Sequence, residues 1–269
     1  MIASAPRLRR PWRIIAGLVL SGVIVTLAAW RLDLPWSRLA PDAVWRASGT
    51  VLGSLWPPDL SLELWQRLGR ATWETIAMSV SGSVLAVGIA LLLLPWASQR
   101  MQQDGDGHIR HLCHHAARLC ANALRTTPFI VWALLLVAAL GPGPTAGTIA
   151  LALHTAGVLG RLYAQAIDDT PCPAAAALQA AGATPATVLW VALVPAAAPR
   201  LFALATYRWE VALREATVMG FVGAGGLGTM VMFALGTFDR PALSSALIVI
   251  AVLVASAEIT SAWARRRWR

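Results

Sequence analysis

Long apolar stretches recur along this chain, at residues 14–30, 72–96, 124–140, 145–166, 196–220 and 241–263. Each approaches the roughly 20 residues a helix needs to cross a bilayer. Lipid offers no partner to exposed N–H and C=O groups, so such stretches must be helices whose backbone bonds close within the segment. Composition agrees: 57% of the 269 residues are hydrophobic and 13% are charged, against about 25% charged in an ordinary soluble domain. The expected architecture is an all-α integral membrane protein with six transmembrane helices.

Charge then sets orientation. All 22 basic residues are arginine, and they cluster at Arg7, Arg9, Arg10 and Arg13 and again at Arg265, Arg266, Arg267 and Arg269. Basic flanks mark the cytoplasmic side, so both termini are expected inside, which an even number of spans satisfies. Residues 31–71 then lie outside as a loop with amphipathic pieces, while a polar, histidine-bearing loop at 97–123 and the segment 167–195 lie inside. The net charge of +9 is thus a topology signal and no nucleic acid is expected. Without lysine the chain has no phosphate-loop or Schiff-base lysine, so any ATP hydrolysis belongs to another polypeptide, and no cofactor is expected. The first stretch is longer than a signal-peptide core and ends in Ala28-Ala29-Trp30-Arg31, a poor cleavage site, which makes it a retained anchor. The expected division is 1–71, anchor and outer loop, and 72–269, the transmembrane domain. Cys113, Cys120 and Cys172 fall in the inner segments, where a disulfide does not persist.

Between the fourth and fifth stretches lies Thr170-Pro171-Cys172-Pro173, running through four alanines to Leu178-Gln179-Ala180-Ala181-Gly182. Thr170 can cap a helix, Pro171 suits the first helical position, and Gly182 can take the left-handed conformation that ends one. About three turns, roughly 16 Å, cannot cross a bilayer. Being too apolar for an exposed loop, the helix should dock, either on its own protein or on a partner.

The fifth stretch carries Arg208, Glu210, Arg214 and Glu215. At roughly 2.5–3.5 kcal/mol per charge near a helix centre, four lipid-facing groups would oppose insertion by about 10 kcal/mol. They must face protein or water. Glu210 and Arg214 can pair one turn apart, and Arg208 and Glu215 stand two turns apart on another face. With His154 of the fourth stretch, these residues form either a structural charge network or the lining of a water-filled path, where a guanidinium fork offers an oxyanion a transient site. Gly223-Ala224-Gly225-Gly226-Leu227-Gly228 fits the dinucleotide pattern by letter, but it follows a membrane span and lacks the strand of a βαβ unit, so it is read as a chain break. His108, His111, His114 and His115 lack the carboxylate or paired cysteine that would complete a metal site, and no metal is expected.

The spacing Ala176-Ala177-Leu178, Gly182, Ala192 and Val194-Pro195 resembles the EAA loop of ABC importer permeases. Ala176 stands where that motif has glutamate, which removes the acid of any salt bridge there. From about Leu52 onward the chain resembles the phosphonate-uptake branch of those permeases: Trp56-Pro57-Pro58-Asp59, Leu124-Arg125-Thr126-Thr127-Pro128, the run from Ala152 to Gly160, Tyr207-Arg208-Trp209-Glu210-Val211 and the run from Phe221 to Gly228 carry the likeness. The resemblance implies a type I importer permease fold that carries phosphonate- or phosphite-like oxyanions across a bacterial inner membrane. It implies a cytoplasmic coupling helix at about 170–182, with Ala176, Ala177, Leu178, Gln179 and Gly182 on a dimer of ATPase subunits that binds the ATP. It further implies a periplasmic substrate-binding protein, and a second permease copy or paralogue, with the path at the dimer axis. The competing class is a self-sufficient carrier or membrane enzyme. The two halves show no paired repeat and no nucleophile or acid–base set, and both absences favour the importer.

Overall fold

The computed structural model describes residues 11–31, 41–100 and 108–267; the arginines at 7, 9, 10 and 269 lie outside them. The chain divides into two compact units, Met1–Ser54 and Leu55–Arg269. The first holds α1 (Pro11–Arg31) and α2 (Pro41–Ser54). On α1 the apolar side chains from Ile15 to Leu27 are exposed, and the apolar helix Ile15–Arg31 is shorter than the candidate spans.

The second unit is built from α3 (Leu62–Ala97), α4 (His108–Thr126), α5 (Phe129–Leu140), α6 (Pro144–Asp169), α7 (Pro173–Ala180), α8 (Pro185–Thr187), a π-helical turn (Val188–Leu193), α9 (Val194–Met219), a 3-10 turn (Gly220–Val222), α10 (Leu227–Gly236) and α11 (Arg240–Arg267). No strand occurs among the described residues.

Among the described residues three helical stretches, against the six spans expected, are long and apolar enough to cross a membrane: α3, Pro185–Gly236 and α11. A fourth is α4 and α5 taken together, but they meet at 90°. The expected run at 124–140 is therefore broken. Pro128 has no N–H to donate and disfavours the helical conformation at Thr127, and the 12 residues of α5 reach only about 18 Å. Among the described residues the expected polar loop at 97–123 is largely α4. The 26-residue α6 is less apolar than the three candidate spans because it carries His154, Arg161, Asp168 and Asp169. It is the central helix, packed against α3, α4, α5 and α9.

Small residues let α6 sit there. A Cβ on Gly157 would lie 2.7 Å from the Arg125 backbone nitrogen and 2.8 Å from the Ala121 carbonyl oxygen, so α4 crosses α6 in backbone contact. Two apolar clusters fill the interior on either side of the middle of α6. One joins Leu94, Leu159, Tyr163, Ile167, Ala175, Leu189, Leu193 and Leu201; the other joins Met78, Ala133, Leu151, Ala212 and Met219. A third, around Leu68, Leu227, Val231 and Ala246, packs α10 and α11 on α3. The glycine-rich break precedes α10, whose first amides are capped from α3. The Gly226 N–H donates to Glu74 Oε2 at 3.1 Å and the Leu227 N–H to Thr75 Oγ1 at 2.9 Å.

Candidate functional site: a charged layer and a docked short helix

The short helix begins later than the sequence suggests. Thr170 is not its cap but the C-cap of α6, with its Oγ1 donating to the Ala166 carbonyl at 2.6 Å. Cys172 is the N-cap of α7 and Pro173 opens the helix. The two prolines explain the shift, since each disfavours helix at the residue before it, and Cys172 is accordingly extended at φ −138°. The result is eight residues, about 12 Å. Gly182 ends the element as expected, at φ +79°. Its N–H donates to Gln179 O at 2.9 Å and the Ala183 N–H to Leu178 O at 3.0 Å, closing the last carbonyls in a left-handed turn.

Ala175 is buried, and Leu178, one turn on, packs into the same cluster as Leu189 and Leu193. Leu178, expected at the centre of an external contact, is partly buried and also seats α7 on the protein's own core. Ala176, Ala177, Gln179 and Gly182 are exposed. Beside α7, the ends of α3 and α6 are tied by Asp168. It accepts from Ser98 Oγ at 2.6 Å and from the N–H groups of Gln99 and Arg100 at 3.1 and 3.3 Å. Arg100 reaches on to the Thr170 carbonyl at 2.9 Å, and Asp169 pairs with Arg200 of α9 at 3.2 Å.

The charged residues of α9 fall into two groups, because positions 208 and 215 share one side of the helix and 210 and 214 another. On the α6 side, Arg208 Nη2 lies 3.7 Å from Glu215 Oε1, with side chains only 9% and 13% exposed. Arg208 also reaches Thr155 Oγ1 at 3.5 Å. His154 Nε2 lies 3.9 Å from the same carboxylate, and its Nδ1 is 3.2 Å from the Thr127 carbonyl. A carbonyl can only accept, so the ring proton is assigned to Nδ1. Phe129 meets the imidazole edge-on at 6.3 Å. The layer therefore lies between the two apolar clusters and touches the break between α4 and α5. Arg208 Nε and Glu215 Oε2 are buried with no hydrogen-bond partner, leaving one donor and one acceptor of the layer unused.

On the other side, Glu210 pairs with Arg214 one turn on, and its second oxygen accepts from Arg265 of α11 at 3.2 Å. Ser261 adds a bond to the Thr206 carbonyl at 3.4 Å. Arg214 thus faces away from Arg208 and His154, with which it was grouped on sequence. Thr155, Ser261 and Arg265 were not anticipated as members of these groups. Thr155 adjoins His154, a signal available in the sequence; Arg265 stands 55 residues from Glu210, and no local pattern links them. Of the four loop histidines, His114 is buried with Nδ1 2.7 Å from the Trp96 carbonyl. Among the described residues no group of ligands could hold a metal.

A bundle of apolar helices around a buried charged layer, with a short helix seated between α6 and α9, defines a membrane-embedded transport component. Residues 109–269 match the family described as "Binding-protein-dependent transport system inner membrane component", and the chain belongs to that family. It is 32% identical over 268 residues to the phosphite transport system permease protein PtxC of Stutzerimonas stutzeri, covering 96% of this chain and 90% of that one. It is 32% identical over 247 residues to the phosphate-import permease protein PhnE of Mycolicibacterium smegmatis, covering 89% of this chain and 43% of that one. Among solved structures, an inward-facing form of the MetNI methionine ABC transporter superposes with a TM-score of 0.66 at 23% identity, over 78% of this chain and all of that one. That likeness fixes the fold as the type I ABC importer permease fold.

Proposed function

We propose that this chain is the transmembrane subunit of an ATP-driven importer that passes a phosphonate- or phosphite-like oxyanion across the bacterial inner membrane. Residues 1–71 supply an anchor and an outer loop, residues 72–269 the transport domain, and both termini are cytoplasmic. ATP is bound and hydrolysed by a separate dimer of ATPase subunits seated on the exposed side of α7. A periplasmic substrate-binding protein delivers the substrate, and a second copy of this chain or a similar permease completes the path. The chain itself carries no cofactor or catalytic group.

The observation that carries the substrate class is Arg208. It is a buried guanidinium with an unused Nε–H, balanced by a carboxylate at 3.7 Å rather than a close bidentate pair. An oxyanion could take that N–H together with the outer ones in the planar fork that guanidinium presents, and leave again as Glu215 re-pairs. The names of the relatives, phosphite and phosphate carriers, point to the same chemistry. Glu210 and Arg214 hold α9 to α11 and steady the layer without touching the substrate.

The test is uptake of labelled phosphite by the complete complex in vesicles. Arg208→Gln should abolish uptake while assembly and basal ATP hydrolysis survive. Normal uptake, or failure to assemble, would make Arg208 a structural residue.

A further inference from the structure

Away from the charged layer, a groove of about 220 Å³ runs between α4 and α6, floored by the small residues Ala121, Gly160 and Ala164. Arg118 of α4 and Arg161 of α6 line it from opposite sides, and both are exposed. The two acids at its end are already engaged, Asp168 by Ser98 and two backbone amides and Asp169 by Arg200. Neither Arg118 nor Arg161 has a carboxylate partner among the described residues; the nearest group to Arg118 is His114 Nε2 at 3.5 Å. With Asp169 paired to Arg200, the groove sets the two arginines against the single carboxylate of Asp168, whose donors are neutral, and it stays positive by one charge.

The surface of α4 says what kind of anion fits. Going round the helix from its buried side, the groove edge with Arg118 comes first, then an edge holding His108, His111 and His115. An exposed apolar stripe of Leu112, Ala116, Leu119 and Ala123 follows. A polar edge headed by Arg118 and bordering an apolar stripe is the pattern of a helix lying at a membrane surface, and the 90° turn from α4 into the apolar α5 sets α4 across the direction of that helix. We infer that the groove between α4 and α6 binds the phosphate headgroup of an anionic phospholipid, with the acyl chains laid over the apolar stripe of α4. Basic pockets between membrane helices recognise such headgroups by charge, and the amides of Asn122 and Gln165 add donors to the same groove.

The inference is independent of which solute the permease carries. The full-length permease in a mild detergent would be titrated with phosphatidylglycerol or phosphatidylcholine of the same chain length, and retained lipid counted by native mass spectrometry. Phosphatidylglycerol should be held preferentially. Arg118→Gln with Arg161→Gln should weaken it about fivefold per arginine, on the order of 25-fold for the pair, whereas replacing both arginines by lysine should keep it. Leu119→Gln should weaken both lipids. Equal retention of the two lipids by the unaltered protein would overturn the proposal, as would unchanged phosphatidylglycerol binding in the double glutamine variant. Displacement of the lipid by inorganic phosphate would make the groove a free-phosphate site. Loss of a dimer with lipid retention unaltered would make it a contact between copies. Either result refutes the lipid assignment.

Discussion

Replacing Glu215 by glutamine is the most direct test of the charged layer. It keeps the shape and removes the charge that balances Arg208 at 3.7 Å, where both side chains are more than four-fifths buried. At an effective dielectric near 20 two unit charges at that distance attract by about 4 kcal/mol, and breaking one side of a buried pair costs about 3–5 kcal/mol because the remaining charge is stranded. Glu210→Gln breaks two ion pairs, yet it should cost less. Arg214 is 47% exposed and Arg265 29%, so both heads can turn towards water along their flexible stems, which leaves about 1 kcal/mol. Removing both charges, with Arg208→Met and Glu215→Met together, should restore stability to within about 1 kcal/mol of the parent, since a buried pair exchanged for apolar packing is close to neutral. The assay is the midpoint of denaturant-induced unfolding for the two single variants and the double variant. If Glu215→Gln proved as mild as Glu210→Gln, or if the double variant were weaker than Glu215→Gln alone, the layer would not be a desolvated pair.

Gly157→Val should force α4 away from α6, because its Cβ starts 2.7 Å from the Arg125 backbone nitrogen; a loss of about 1–3 kcal/mol is expected from overpacking, and an unchanged unfolding midpoint would contradict the backbone crossing. Gly182→Val meets no neighbour within 4 Å but sits at φ +79°, costing about 1–2 kcal/mol in local strain. It should leave the protein inserted while binding-protein-stimulated ATP hydrolysis falls, and normal stimulation would remove α7 from coupling. In a background without Cys113, Cys120 and Cys172, a cysteine at Ser48 should react with a probe added from outside and one at Gln102 should not; the opposite pattern would invert the topology.

How far the sequence could be read follows from which interactions are local. The apolar runs that became α3 and α11, the Glu210–Arg214 pair one turn apart and the left-handed Gly182 all depend on neighbours along the chain, and all were legible. The start of α7 was misplaced because two prolines competed for the first turn and only the restriction each places on the residue before it decides between them. The break at Thr127-Pro128 was legible in principle, but continuous hydrophobicity on either side hid it. The two faces of α9, Arg208 with Glu215 and Glu210 with Arg214, were legible in helical phase, whereas Arg265 depended on the packing of α11 against α9, which no short pattern encodes. Leu178 turned inward because α7 needed an anchor as well as a contact.

The π-helical turn at Val188–Leu193 has a consequence for everything beyond it. There the Val194 N–H bonds to Leu189 O, five residues back, so the turn holds one residue more than an α-helical turn would, ahead of Pro195 and Pro199. Each residue of an α-helix advances the rotation by about 100°. The extra residue therefore works as an indexing tooth, dialling α9 to the angle at which Arg208 and Glu215 look at Thr155 and His154 while Glu210 looks at Arg265. Winding this turn with α-helical bonds while keeping every residue would leave the composition of the charged layer intact. It would swing both faces of α9 round by more than a quarter of a revolution, leaving each charge opposite the wrong neighbour.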